Sequence, residues 1–303
     1  MTDPTAGRVT TPPIAVRRSQ QMFTYPSADG TTIYVHTWAP ARPQVRGVIQ
    51  IAHGMGEHAA RYAHLAERLV AAGYVVYAAD QRGHGHSIAG TPGDLGPDGW
   101  NMFVADMVAL TKILRDRHPA VPLVLIAHSL GAMAAQQYLL DEAELLDGVA
   151  LSGATAVDKL FENIAAAGGD LLGLFNAEFR PLRTDADWIS RDEAQVDAYV
   201  ADPWCGFAID ETSMASLAAN GVALLARPTP VPADLPFYIM VGERDPLNDG
   251  LKLSNLAVQR YRDAGATDIT YRSYPGARHE ILNELNREEV EDDLIAWIER
   301  VTS

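Results

Sequence analysis

The sequence predicts an α/β domain: a mostly parallel sheet flanked by helices, with a helical cap insertion. Three observations predict it. Short β-branched runs such as GVIQIAHG, YVVYAAD and PLVLIAHS lack polar alternation, as expected of strands buried on both faces. Stretches of helical length separate these runs, so strand and helix alternate along most of the chain. From about 154 to 233 the alternation stops, and the segment reads as helices divided by Gly, Pro and Asp.

MFTYPSADGTTIYVHTWAP alternates apolar and polar residues around ADG, which predicts a hairpin turning near Asp29-Gly30. GVIQIAHG leads into the helix AARYAHLAERLVAAG, where Tyr62, Leu65, Ala66, Leu69 and Val70 share a face and Gly73 ends it. After the strand YVVYAAD, the helix WNMFVADMVALTKILRDRHP carries Phe103, Met107, Leu110 and Leu114 on one stripe. The strand PLVLIAHS, the helix LGAMAAQQYLLDEAELL and the strand GVALSGA follow. Beyond the insertion come the strand LPFYIMVGERDP, the helix LKLSNLAVQRYRDAG and the strand DITYRSYPGA. The closing helix, REEVEDDLIAWIERV, has an acidic start that suits the helix dipole. Inside the insertion, DKLFENIAAAGGDLLGLF and TSMASLAANGVALLA are expected helices. This gives a core of 21–153 and 234–303, a cap of 154–233 over the carboxyl edge of the sheet, and an arm over 1–20. The arm, rich in Thr and Pro, is expected to be disordered.

A chain of 303 residues with 48 % hydrophobic content can bury one large core of this kind. The formal charge of −15 repels phosphate and anionic headgroups, which argues against nucleic-acid binding and against a membrane anchor built on a basic patch. No apolar run approaches the ~18 residues of a membrane span. The pair Arg17-Arg18 precedes SQQMFTYPSADG, which is no apolar signal region. The single cysteine permits no intrachain disulfide and fits a reducing compartment, so a cytoplasmic location is expected.

Ligands meet an open α/β sheet just past the strand carboxyl ends. AHSLGA puts Ser129 there, between strand and helix, with the small residues Ala127 and Gly131 on either side, as a tight nucleophile elbow requires. The alternative is a serine that caps the helix. A serine nucleophile needs a base, and elbow enzymes place acid and then histidine after it in the chain. Of nine histidines only His279 follows Ser129, in PGARHE between the last strand and last helix. The acid is expected after the penultimate strand, where Asp245 is favoured over Glu243 and Asp249. Oxyanion donors are expected from the Leu130 amide at a helix start and from Met55, flanked by Gly54 and Gly56 in HGMGEH.

With these residues in place, the chain resembles a known family, the serine hydrolases of the α/β-hydrolase fold, in the monoacylglycerol lipase and lysophospholipase-like branch. HGMGEHAARY resembles that branch's oxyanion-loop motif, DQRGHGHS its loop after the next strand, and GARHEILNE its catalytic-histidine loop. With AHSLGA and GERDPLND, the similarity runs from about 23 to 300, and DPWCGF resembles the family's cap. The resemblance implies a triad of Ser129, Asp245 and His279 and an oxyanion hole of Met55 and Leu130. It implies no cofactor and no metal. The substrate it implies is a lipophilic ester, a monoacylglycerol, lysophospholipid or similar monoester, cleaved through an acyl-enzyme. A neutral imidazole base further implies a rate rising with an apparent pKa of about 6–7. Ala127 stands where the commoner motif has glycine.

Other readings compete. The same triad serves xenobiotic or aryl esters and amides, and some relatives of this fold are non-catalytic ligand receptors. His53, His58, His84 and His86 cluster in sequence, but the HGH motif lacks the nearby Asp-His of a binuclear zinc hydrolase, and Arg82 beside it disfavours a cation. Cys205 lies away from any elbow and is expected to be a buried structural thiol. Leu160, Phe161, Leu171, Leu172, Leu174, Phe175, Trp204 and Phe207 make the insertion apolar. One face is expected to pack and another to line an acyl or alkyl pocket, with Gly168, Gly169 and Gly173 permitting lid motion.

Overall fold

A computed structural model of the protein describes residues 20–41, 44–222, 225–226 and 230–303. The arm expected over 1–20 lies outside the described residues except for Gln20, which already pairs with Trp38 and opens the first strand. Eight strands form one sheet in the order β1-β2-β4-β3-β5-β6-β7-β8. They are β1 (Gln20–Pro26), β2 (Thr32–Trp38), β3 (Val48–Ala52), β4 (Val75–Ala79), β5 (Leu123–His128), β6 (Gly148–Ser152), β7 (Phe237–Gly242) and β8 (Ile269–Tyr274). β1 and β2 form the expected antiparallel hairpin, β2 runs antiparallel to β4, and every pairing from β4 to β8 is parallel.

The core helices are α1 (Ala63–Ala71), α2 (Gly99–Arg117), α3 (Leu130–Glu142), α8 (Lys252–Asp263) and α9 (Arg287–Val301). Every residue of β3, β4, β5, β6 and β7 is buried, so both faces of the sheet need cover. Alternation within β5 shows how it is shared. Leu123, Leu125 and Ala127 pack with Phe103, Leu114 and Tyr138 of α2 and α3. Val124 and Ile126 pack with Leu65 and Leu69 of α1 and Leu294 and Ile298 of α9.

Between β6 and β7 lie α4 (Val157–Ala166), α5 (Leu171–Phe175), α6 (Glu193–Ala201) and α7 (Glu211–Ser216), the last continuing as a wider turn over Leu217–Val222. No strand interrupts the described residues of this segment. The helix expected over 158–175 is broken, because Gly168 and Gly169 take φ of 73° and 82°. Sequence reading did not single out α6, and the reason is visible: Val196 alone on it is buried, so it has no apolar face to announce it.

Arg82, in the loop after β4, ties three elements together. Its Nε donates to Asp106 of α2 at 2.9 Å, its Nη1 to Asp29 of the hairpin turn at 2.7 Å, and its Nη2 to Ser27 at 2.6 Å. The Arg82 and Asp106 side chains are almost wholly buried. Removing the cation strands a buried carboxylate, a change that typically costs about 3–5 kcal/mol. Arg82→Met is therefore expected to lower unfolding free energy by roughly that amount in denaturant titration; a loss within error of zero would show the network to be dispensable.

Candidate active site

Ser129 follows β5 with φ 52° and ψ −117°, a left-handed turn that lifts its side chain off the strand end. Its hydroxyl makes no capping bond to α3, so the helix-cap reading fails. A Cβ at Gly131 would come within 2.5 Å of Ala52 O, which explains the small residue there. Ala127 needs no glycine, since it is an ordinary strand residue whose methyl group is buried.

His279 lies in the loop after edge strand β8, yet its Nε2 sits 2.8 Å from Ser129 Oγ at the end of β5. To get there, the loop crosses the carboxyl ends of β7 and β6, and a glycine on each admits it. A Cβ at Gly242 would stand 2.1 Å from Arg278 O, and one at Gly153 2.9 Å from His279 Cε1. Gly153 also takes φ of 63°. The insertion braces the loop from above: Glu280 N donates to Ile189 O at 2.7 Å, and Ser190 Oγ to Asn283 O at 2.9 Å. The Trp188 ring packs 5.1 Å from the His279 ring.

His279 Nδ1 lies 2.9 Å from Asp245 Oδ2. Asp245 also accepts from Leu247 N at 2.9 Å and Asn248 Nδ2 at 3.0 Å, so its carboxylate is fixed. The competing acids are elsewhere. Glu243 is exposed and accepts from Ser273, and Asp249 pairs with Lys252 at the surface. With Nδ1–H given to Asp245, the Nε2 lone pair faces the serine hydroxyl. Burial alone pulls the His279 pKa down, but the Asp245 charge and hydrogen bond outweigh it and hold it above the ordinary value.

Met55 and Leu130 line the same cavity as Ser129 and His279. The Gly54 amide is already committed, donating to Glu57 Oε1 at 2.6 Å. Glu57 is the site residue that sequence reading missed. It also accepts from Tyr62 Oη at 2.8 Å and from Arg61 Nη1 at 2.7 Å. Arg61 in turn holds Glu280, the neighbour of His279, through bonds of 2.8 and 2.6 Å. Burial pushes the Glu57 pKa up, but Arg61, His128 and His53 outweigh it and bring it to about 2. A buried Glu57–Arg61–Glu280 chain thus ties the Gly54–Glu57 loop to the His279 loop. The Glu four residues before an Arg in GEHAAR was visible in the sequence, but its partner is 219 positions beyond Arg61.

The other histidines of the motifs do structural work. His53 Nε2 accepts from Gln81 N at 2.9 Å, and His84 Nδ1 donates to Arg82 O at 2.9 Å. Burial lowers His53, takes His84 to about 3 and, with the His279 charge, takes His128 to about 4. Cys205 is half-buried, and burial raises its thiol pKa to about 12, which leaves it a poor nucleophile.

Above Ser129 opens a cavity of about 1070 Å³, lined by Leu160, Phe161, Leu171, Leu172, Phe175 and Phe207 among others. Two other apolar residues of the insertion lie off its walls. Leu174 packs on the core, and Trp204 turns outward against His86, 4.5 Å between ring centroids. Gly173 lies in the first turn of α5, its amide donating to the N-cap side chain of Asp170 at 2.8 Å.

Gly153→Ala is expected to push His279 off line and lower kcat on the order of 10²-fold. Its left-handed backbone adds a stability loss of about 1–2 kcal/mol; wild-type turnover in the variant would show that the crossing is not tight. Glu57→Gln removes a negative charge that helps hold the His279 pKa up. It is expected to move the acid limb of kcat/KM to lower pH and reduce kcat on the order of tenfold; an unmoved limb would separate Glu57 from the histidine.

The geometry can be set beside known proteins. A family model described as serine aminopeptidase, S33, matches residues 43–286. A monoacylglycerol lipase of Mycolicibacterium smegmatis is 33 % identical over 291 residues, 94 % of this chain and 98 % of the relative. The human monoglyceride lipase is 28 % identical, over 89 % of this chain and 88 % of its own. Among solved structures, a thermostable carboxyl esterase from Bacillus coagulans in complex with glycerol superposes with a TM-score of 0.83 at 26 % identity, covering 94 % of this chain and 99 % of the esterase. A match over most of the chain, with a relative one-third identical end to end, shows that the protein belongs to the S33 serine aminopeptidase family of α/β hydrolases.

Proposed function

We propose that the protein is a carboxylic ester hydrolase acting on lipophilic monoesters, monoacylglycerols or lysophospholipids among them, through an acyl-enzyme. One observation carries this reading: the hydrogen-bonded series Asp245–His279–Ser129 at the floor of a large, mostly apolar cavity. In the proposed sequence His279 Nε2 takes the Ser129 proton as Oγ attacks the ester carbonyl. The Met55 and Leu130 amides hold the oxyanion. Asp245 steadies the imidazolium, which then protonates the leaving alcohol. Water completes the cycle by the reverse proton path. Residues 154–233 form the cap that shapes the acyl pocket. The lone, unpaired cysteine supports a cytoplasmic setting.

The family description and the shared triad raise an amide or peptide reading. An aminopeptidase needs a carboxylate for the substrate ammonium group. Here Glu57 and Glu280, the buried acids on the cavity wall, are both taken up by Arg61, which leaves the exposed Asp185 and Glu211 as its other carboxylates. The lining and the similarity to monoacylglycerol lipases favour the ester.

A panel of 1-monoacylglycerols and p-nitrophenyl esters of graded chain length, set against aminoacyl anilides, tests the choice. Esters of medium or long chain are expected to exceed the anilides in kcat/KM by at least about 10²-fold; faster anilide cleavage would reverse the assignment. The pH dependence tests the base. Because the folded pKa of His279 is raised, the rate should climb as pH rises through a value above about 6.5. The stability contributed by its protonated form is fully present below the unfolded value of about 6.5 and is lost as pH rises through the raised folded value. Asp245→Asn is expected to shift the limb down and cut kcat on the order of 10⁴-fold; a flat profile from pH 5 to 8 would contradict the imidazole base.

A further inference from the structure

Where the cap segment between α6 and α7 crosses the oxyanion loop, three side chains of different ligand chemistry converge. His58 comes from the core loop, and Asp202 and Cys205 from the cap turn. One ligand-type atom of each lies within 4.8 Å of the other two. His58 Nε2 is 3.0 Å from Asp202 Oδ2. His58 is only 7 % exposed, and its Nδ1 has no hydrogen-bond partner among the described residues. An imidazole sharing its Nε2 proton with Asp202 keeps a bare lone pair on Nδ1, which can take that proton in the other tautomer and free Nε2 as a ligand. Asp202 keeps 33 % of its side chain exposed, which gives an ion a way in.

We propose that His58, Asp202 and Cys205 form a zinc-class metal site that clasps the cap to the core, separate from the chemistry at Ser129. A nitrogen, an oxygen and a sulfur ligand suit a borderline cation such as Zn²⁺, whereas Mg²⁺ and Ca²⁺ demand oxygen. Three protein ligands leave the fourth tetrahedral position to water. On binding, the Cys205 thiol releases its proton to the buffer and Sγ bonds the metal. The His58–Asp202 hydrogen bond gives way to two metal–ligand bonds, and the Nε2 proton moves to Nδ1 as the ring takes its other tautomer. The His36, Asp80 and His86 cluster is a weaker candidate. The Asp80 carboxylate already accepts from both rings and from the His86 and Ala59 amides, which makes it a saturated structural knot.

The position gives the clasp a consequence. Gly206 N donates to Gly56 O at 2.9 Å, and Ile209 N to Met55 Sδ at 3.4 Å. The segment that would carry the metal is therefore the one that holds the oxyanion loop from above.

Cys205 is the single cysteine in the sequence, so a thiolate-to-metal charge-transfer band can arise from it alone. The test titrates metal-free, full-length protein with cobalt(II) chloride. A near-ultraviolet band saturating at one equivalent is expected, bleached by added zinc sulfate and lost in Cys205→Ser. Asp202→Asn should weaken cobalt binding at least about tenfold. Zinc should raise the Tm of the wild type and leave that of Cys205→Ser unmoved. No band in the wild type at millimolar cobalt would overturn the proposal. So would a zinc-dependent Tm rise that persists unchanged in both variants, since it would place the metal elsewhere.

Discussion

The site depends on a crossing. A histidine that leaves the sheet at its edge strand β8 has to meet a serine three strands away on β5. Adjacent strands stand about 4.8 Å apart, so the loop spans well over ten ångströms of sheet edge. Only a backbone passing very close to the ends of β7 and β6 covers that distance and still leaves the ring in line with both Asp245 and Ser129. Gly242 and Gly153 remove the side chains that would block it. The strained turn at Ser129 brings the hydroxyl up to meet the ring. Each of these features looks local, and each makes sense only through the others.

Two further layers hold this geometry. Beneath it, the Glu57–Arg61–Glu280 chain fastens the Gly54–Glu57 loop to the His279 loop with charge-assisted bonds in a buried setting, where such bonds are strongest. Above it, the insertion reaches both loops, with Ile189 and Ser190 on the His279 loop and Gly206 and Ile209 on the Gly54–Glu57 loop. The insertion is thus a brace as well as a roof. Between α4 and α5, by contrast, Gly168 and Gly169 break the helix and Leu172 is exposed. Burial meanwhile lowers the pKa of His53, His84 and His128, whereas Asp245 raises that of His279, so the site separates His279 from its neighbouring imidazoles.

Much of this was legible in the sequence, for identifiable reasons. Doubly buried strands such as LVLIAH and amphipathic helices such as α1 announce themselves by composition and period, and the strand–helix alternation fixes the sheet's character. His279 was found by chain order alone, and Asp245 by its place after a strand. What stayed hidden was whatever depends on distant partners or lacks a face. α6 buries one residue and leaves no periodic trace. Which apolar residues of the insertion pack and which line the cavity was not readable either: Trp204 packs on His86 at the surface. The link between Glu57 and Glu280 spans the whole chain, and the role of Gly153 appears only once the histidine loop is seen to pass over it.

The central claim is that this crossing makes the Ser129 hydroxyl a nucleophile. Treatment with a fluorophosphonate, followed by intact-mass and peptide analysis, measures that directly. A single phosphonyl adduct on the peptide holding Ser129 is expected, with labelling abolished in Ser129→Ala and slowed by orders of magnitude in His279→Ala. An unlabelled wild type, or equal labelling of the Ser129→Ala protein, would contradict it.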